Sequence, residues 1–366
     1  MSGIIAIVAF LILLGILVLA HELGHFATAR AFKITVDEFG IGFPPRALTI
    51  AERNGVRYTI NWLPLGGFVR FGGAGDNSSY GIGSLREAPI YQRIAVLLAG
   101  PLMNFIVAIA IFTGLTFANG IETVDTGLVV SQVYADTPAA TAGLQANDVV
   151  LRIGNSEEIT VGTEIGDIAK ANLGNPIPVE ILRDGQPLTL QITPGPWTIN
   201  GKTNPAGFGF AYANRTSTTP ASIGQAISYG TVRTFTIAGM MIDSLQSWIK
   251  GLLGLAPQIE NAGMTGIVGM ARGTGEIIDR DGWQGYLNWM ALISLNLAIF
   301  NLLPIPALDG SHILFAVIEF VRRKRIPVER EAMVHMTGFA LLMILMVVVT
   351  ISDIQGWMNG TSIFGQ

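Results

Sequence analysis

The sequence predicts a multi-pass α-helical membrane protein with four transmembrane helices and one large aqueous insert. Three observations predict it. Of 366 residues, 50% are hydrophobic and 13% charged, about half the charge of an ordinary soluble domain, and mean hydropathy is +0.50. Charge is missing from four separate runs, each near the ~20 residues that a helix needs to cross a bilayer. Between the second and third runs lies a long stretch of ordinary polar composition. The absence of cysteine excludes disulfides, thiolate ligands and a cysteine nucleophile, so any metal must be held by His, Asp or Glu. A net charge of -4 gives no overall basic field, and nucleic acid is not an expected partner.

In chain order, residues 1–32 hold the first span. Ile4 to Ala20 is uncharged, and neither a basic flank nor a small-residue cleavage site marks it as a signal peptide. Residues 33–90 follow as a cytoplasmic region in which Tyr58 to Leu63 is a strand candidate. The second span, 91–119, is charge-free from Ile94 to Ala118 and interrupted by Gly100-Pro101 and Asn104. The third charge-free run, Tyr286 to Leu308, ends in a proline-rich stretch inside an expected segment 285–321. A basic loop, 322–331, leads to the fourth span, 332–353, and a tail, 354–366. Within an expected linker, 197–284, apolar residues such as Ile223, Ile227, Phe235, Ile249 and Leu252 read as an amphipathic helix resting on the outer membrane surface or on the rest of the protein.

Loop charge orients the spans. The segment between the first two carries eight basic residues (Arg30, Lys33, Arg46, Arg53, Arg57, Arg70, Arg86, Arg93) against five acidic, whereas 119–285 holds nine basic and fifteen acidic. The loop after the third span holds Arg322, Arg323, Lys324, Arg325 and Arg330. Basic loops stay cytoplasmic, so both termini and the long insert are expected on the extracytoplasmic side.

The first span closes on His21-Glu22-Leu23-Gly24-His25. Residues four apart share a helix face, so both histidines can reach one ion, and Glu22 can reach a water on it. Against this stands a plain helix end with interfacial histidines, but ionisable groups beside an uncharged run are costly and usually functional. A catalytic zinc site needs a third protein ligand. His312 and His335 are the other histidines, yet Asp309 stands out, because no other Asp, Glu, Lys or Arg lies between Asp281 and Glu319. A lone carboxylate at that depth is expensive unless protonated or bound to a cation. Its plainer reading is an N-cap after a proline kink. Both spans run inward, which sets His21, His25 and Asp309 at one level.

These residues, with Gly100-Pro101-Leu102-Met103-Asn104, Phe39-Gly40-Ile41-Gly42-Phe43, Pro64-Leu65-Gly66-Gly67-Phe68-Val69 and Asp309-Gly310-Ser311-His312, resemble the site-2 protease family of intramembrane zinc metalloproteases, nearest to its bacterial RseP-type members. Ser311 departs from the family's second glycine. The resemblance implies cleavage of substrate transmembrane segments inside the bilayer of the bacterial inner membrane. It implies Zn2+ held by His21, His25 and Asp309, Glu22 as the general base, and Asn301 holding the substrate strand. His312 lies outside the implied ligand set, and His335, alone on an apolar helix, reads as a packing histidine. Residues 33–90 are implied to include a membrane-reentrant β region, which without the resemblance reads as an ordinary hairpin. The implied substrates are single-span membrane proteins, anti-sigma factors first trimmed by an upstream site-1-type protease or remnant signal peptides.

Thr126-Gly127-Leu128-Val129-Val130 and Thr137-Pro138-Ala139-Ala140, followed by a hairpin over 177–190, resemble an α+β PDZ domain, expected over 124–196. One copy fits here, where the RseP type has two. Backbone amides near Gly127 and Leu128 are candidates for receiving a peptide carboxylate; the competing reading is a domain that only screens bulky substrates. The stretch Gly263 to Gly269 resembles a family motif and has no assigned role. A second class of function, a metal transporter or a PDZ scaffold, is separated from the protease by cleavage assays on Glu22→Gln.

Overall fold

The computed structural model describes residues 3–72, 83–154, 156, 159, 165–199, 202–255 and 266–359. The chain forms two compact units, Met1–Ala118 with Ser222–Gln366, and Asn119–Ala221. In chain order the first supplies α1 (Gly3–Ala31), β1 (Val36–Arg53), β2 (Val56–Phe71), α2 (Gly83–Glu87) and α3 (Ile90–Asn119). The second supplies β3 (Ile121–Val133), α4 (Pro138–Thr141), β4 (Val149–Ile153), α5 (Ile165–Ala171), β5 (Ile177–Arg183), β6 (Gln186–Ile192), β7 (Gly195–Ile199), β8 (Lys202–Gly207) and β9 (Phe210–Thr219). The first resumes with α6 (Ile223–Leu252), α7 (Ile267–Leu302), α8 (Asp309–Arg322) and α9 (Val328–Met358).

In the first unit, α1, α3, α7 and α9 are the described helices long and apolar enough to cross a membrane. α1 outruns its uncharged stretch by a further eleven residues, because Ala27, Ala29 and Ala31 sustain helix as well as the apolar run does. α1 and α7 share a core of Phe10, Leu13, Leu17, Ala271, Met290 and Ile293. α3 meets α7 through Ala108, Phe112, Ala291 and Leu295. Gly24 brings α1 against α3; a Cβ there would lie 2.2 Å from the Ala99 carbonyl oxygen.

The expected segment 285–321, a span followed by the Asp309 motif, holds the end of α7 and nearly all of α8. α7 begins at Ile267 and breaks at Gly282 (φ 63°, ψ -152°), a backbone state that suits glycine. The helix stops at Leu302, ahead of Pro304 and Pro306, which lack the N–H that would continue it. α8 then starts at Asp309 and is 14 residues long, about 21 Å and too short to span. Asp309 is also not the N-cap; Leu308 holds that position without a side-chain bond, which leaves the Asp309 carboxylate for other partners. The N-terminus of α7 is capped from α9, where Asp353 Oδ2 accepts from the N–H groups of Gly266 (3.0 Å) and Gly269 (2.8 Å). Of the glycine-rich motif 263–269, residues 263–265 lie outside the described residues.

β1 and β2 form an antiparallel hairpin closed by Asn54 and Gly55, both at positive φ, the signature of a two-residue I′ turn. Its buried carboxylate, Glu38, is satisfied by Thr59 Oγ1 at 2.8 Å, Arg46 at 3.1 Å and Arg70 at 3.1 Å. α6 opens with a Ser222–Gln225 capping box. It lies on α3: Gly230 seats on Thr113, Arg233 sits over the Phe112 ring and Phe235 stacks on Phe105.

The second unit is a five-stranded sheet in the order β6-β5-β4-β3-β9 with a separate β7-β8 ribbon. Leu128, Val130, Val150, Ile153, Val179, Ile181 and Ile192 form its core. Asp184 and Gly185, both at positive φ, turn β5 into β6 as the sequence predicts. The expected limit at residue 196 falls short. β9 pairs antiparallel with β3 from Ile121↔Thr219 to Val133↔Phe210, so the residues assigned to a linker up to Ala221 belong to this unit.

Candidate metal centre

Three donor atoms converge where α1 meets the start of α8. His21 Nε2 lies 3.0 Å from Asp309 Oδ2, His25 Nε2 lies 3.3 Å from the same oxygen, and the two Nε2 atoms are 3.1 Å apart. The i, i+4 spacing on α1 stacks the imidazoles on one face, edge to face with centroids 4.7 Å apart. Both histidines are buried. α8 supplies the third donor because the proline loop turns the chain back before Asp309.

The tautomers follow from the far sides of the rings. His25 Nδ1 donates to the Val96 carbonyl at 2.7 Å, so Nε2 carries a lone pair and no proton. The Asn104 side-chain nitrogen lies 3.3 Å from His21 Nδ1, while Asn104 Oδ1 is buried without a partner. A half-turn of that amide brings Oδ1 onto His21 Nδ1–H and leaves a second lone pair at Nε2. Such outer partners fix ring orientation and raise ligand basicity. The Asn104 backbone is itself held, its carbonyl accepting from Ser294 Oγ at 2.8 Å.

With both rings in that tautomer, the three donor atoms turn lone pairs toward one point, an arrangement that a cation relieves. Tetrahedral coordination with bonds of 2.0–2.2 Å implies donor–donor edges of about 3.3–3.6 Å, and the observed edges of 3.0, 3.1 and 3.3 Å lie at or just inside the lower figure. Gly100 keeps the space clear: a Cβ there would stand 2.3 Å from His25 Nε2 and 2.7 Å from His21 Nε2. The donor set therefore fits a small divalent ion.

Glu22 lies one residue round α1, half-buried, and accepts from the Val69 backbone N–H of β2. Gly67 backs it, and a Cβ at that position would be 3.2 Å from Glu22 Cγ. Asn301 sits in the last turn of α7, half-buried, and its side chain forms no hydrogen bond among the described residues.

Gly127 and Leu128 do not offer the expected carboxylate seat. The Gly127 N–H already donates to the Ile159 carbonyl at 2.7 Å. Leu128 is fully buried in β3, which pairs with β4 on one side and β9 on the other. Sequence reasoning also passed over Val96 and the contact of Asn104 with His21. Asn104 had a visible signal, a polar side chain in an uncharged span; Val96 had none, since every residue carries a carbonyl.

A buried two-histidine, one-carboxylate donor set with a glutamate alongside, among helices that can cross a bilayer, defines a membrane metalloprotease. Residues 9–345 match Peptidase family M50, and the chain belongs to that family. It is similar to the zinc metalloprotease RasP of Oceanobacillus iheyensis, 30% identical over 95% of this chain and 98% of that one. It is also similar to the regulator of sigma-W protease RasP of Bacillus subtilis, 29% identical over 95% of this chain and 98% of that one. A solved PDZ domain of the SdrC-like protein from Listeria monocytogenes is similar to part of the chain, at 19% identity over 25% of this chain and 93% of that one, with a TM-score of 0.21. The protein is a zinc metalloprotease of bacterial membranes.

Proposed function

We propose that His21, His25 and Asp309 hold the zinc and that Glu22 moves the proton in hydrolysis of peptide bonds within transmembrane segments of single-span membrane proteins. The observation that carries this reading is the donor triangle with edges of 3.0, 3.1 and 3.3 Å, beside Glu22, in a unit with four candidate spans. Zinc bound there supplies Lewis-acid polarisation of a carbonyl and acidification of a water. Glu22, steadied by Val69 N–H, accepts the proton of the attacking water and returns it to the leaving nitrogen.

A substrate helix must open before attack, and its freed backbone then needs partners in an apolar setting. The β1–β2 hairpin offers strand edges for that purpose, and the Asn301 side chain is available to a substrate backbone group. Residues 33–90 act as a membrane-reentrant element in this reading, with the active site near the cytoplasmic side. The loop charges support extracytoplasmic termini and insert. Residues 119–221 serve as a PDZ domain that screens or holds substrates; its strand-addition edges are β9 and β6, because β3 is internal. The sigma-W regulator name of the B. subtilis relative supports anti-sigma factors as substrates, trimmed beforehand by a site-1-type protease.

Purified protein in lipid vesicles with a tagged single-span substrate tests this. Cleavage should stop on zinc chelation, return with zinc, and fall about 10²–10⁴-fold in Glu22→Gln with zinc content unchanged. Equal cleavage by wild type and Glu22→Gln rejects the mechanism.

A further inference from the structure

The last span, α9, touches the loop that delivers Asp309. His335 is 3% exposed, and its Nδ1 accepts a hydrogen bond from the Ala307 backbone N–H at 3.0 Å. Almost one turn on, Gly338 lies against the same loop, where a Cβ would stand 2.1 Å from Pro306 Cβ. Ala307 has φ 75°, in the left-handed region that residues bearing a Cβ hold only when their surroundings impose it. Leu308 is gripped next, its carbonyl accepting from Ser311 N–H at 3.1 Å and Ser311 Oγ at 2.7 Å. Each residue from Pro306 to Leu308 is thus fixed immediately before Asp309.

On its other side His335 stacks on His312 with centroids 4.0 Å apart. His312 Nδ1 lies 3.2 Å from Glu331 Oε1, and Arg86 donates to Glu331 Oε2 at 2.8 Å. Donor atoms of His312, Glu331 and His335 all fall within 4.8 Å of one another, a spacing suited to a second metal. Proton counting rejects that use. Because the Ala307 N–H points at Nδ1, a neutral His335 carries its one proton on Nε2 and has no lone pair left for an ion. That Nε2 is buried with no hydrogen-bond partner among the described residues. Among the described residues, the one hydrogen bond of the His335 ring is therefore the bond to Ala307.

We propose that His335 is a positioning residue for Asp309: through Ala307 N–H, and with Gly338 seating Pro306, α9 fixes the left-handed turn that aims the carboxylate at His21 and His25 before zinc arrives. The inference rests on Asp309 being a zinc ligand, as argued above. It makes the fourth span part of the metal site without contributing a ligand. Asn at 335 can present Oδ1 where Nδ1 stood; Leu fills similar space and presents no acceptor.

The test is zinc affinity of the full-length protein in detergent, by competition with a chromogenic chelator, together with amide exchange across 303–309 in the zinc-free state. Affinity should fall about tenfold or more in His335→Leu and less than about threefold in His335→Asn. In zinc-free wild type the Ala307 amide should exchange slowly. Wild-type affinity in His335→Leu, equal losses in the Leu and Asn variants, or a fast-exchanging Ala307 amide in zinc-free wild type would each overturn the proposal. The exchange result decides alone if His335→Leu is not recovered folded. Asp309→Ala run alongside should lose stoichiometric zinc; if it keeps its zinc, the ligand assignment fails rather than the role of His335.

Discussion

Gly100→Ala sets two effects of opposite sign in one helix. An alanine Cβ at this position would lie 2.3 Å from His25 Nε2 and 2.7 Å from His21 Nε2, against ordinary contacts of 3.4 Å or more. The rings must recede by about 1.1 and 0.7 Å, several times the ~0.2 Å tolerance of a metal–ligand distance. α3 is held to α7 by the Ser294–Asn104 hydrogen bond, so the imidazoles yield instead and His25 gives up its bond to Val96. Displacing two of three ligands should weaken zinc binding at least 100-fold, about 2.8 kcal/mol at 1.4 kcal/mol per decade. Replacing glycine inside a helix meanwhile favours folding by up to about 1 kcal/mol, which offsets part of a ~1–3 kcal/mol overpacking cost. The chain should therefore fold, span and unfold near the wild-type temperature while failing to hold zinc. Chelator competition and thermal unfolding of the zinc-free protein read the two effects separately. Wild-type zinc affinity in Gly100→Ala would refute the account of how α3 keeps the site open.

Arg93 and Glu319 form a pair at 2.5 Å with side chains 5% and 3% exposed, and Glu319 also accepts from Ile326 N–H at 2.9 Å. Arg93→Met strands that carboxylate and should cost about 3–5 kcal/mol by thermal unfolding in detergent, with Arg93→Met/Glu319→Leu costing less; a single variant within ~1 kcal/mol of wild type contradicts the pairing. In the second unit, burial pushes the Asp148 carboxyl up, but the Arg183 guanidinium and the Gln145 N–H pull it further down, leaving it below its ordinary value. Stability from this group is complete above its unfolded value of about 3.9 and is lost as pH falls through the lower folded value. Amide protection of β4 and β5, corrected for intrinsic exchange, should fall below about pH 4 in wild type and follow a flatter course in Asp148→Asn.

The spans were legible because charge is absent over whole stretches, and Asp309 was legible because it breaks that absence. Helix ends were not, since polar residues such as His21, Thr28 and Arg30 continue α1 as readily as apolar ones. The break in α7 rests on a single glycine among many, and only the folded backbone marks Gly282 as the one with φ 63°. The pairing of β9 with β3 joins residues far apart in the chain and leaves no local periodicity to read, so the second unit extends beyond its expected limit. Gly127 looked available because a sequence does not show that Ile159 has taken its N–H. His335 read as packing, and it does pack, on His312 and Phe315; its bond to Ala307 requires the proline loop to be in place.

His21 and Asp309 are 288 residues apart. A ribosome adding about 5–20 residues per second needs roughly 15–60 s to cover that distance. Throughout that interval the growing chain holds His21, Glu22 and His25 and lacks Asp309. α9, which steadies the Asp309 loop, is made later still. A chain abandoned before α8 cannot complete the donor triangle. The order of the sequence thus acts as a timer: the donor triangle cannot form until nearly all of the chain has been built.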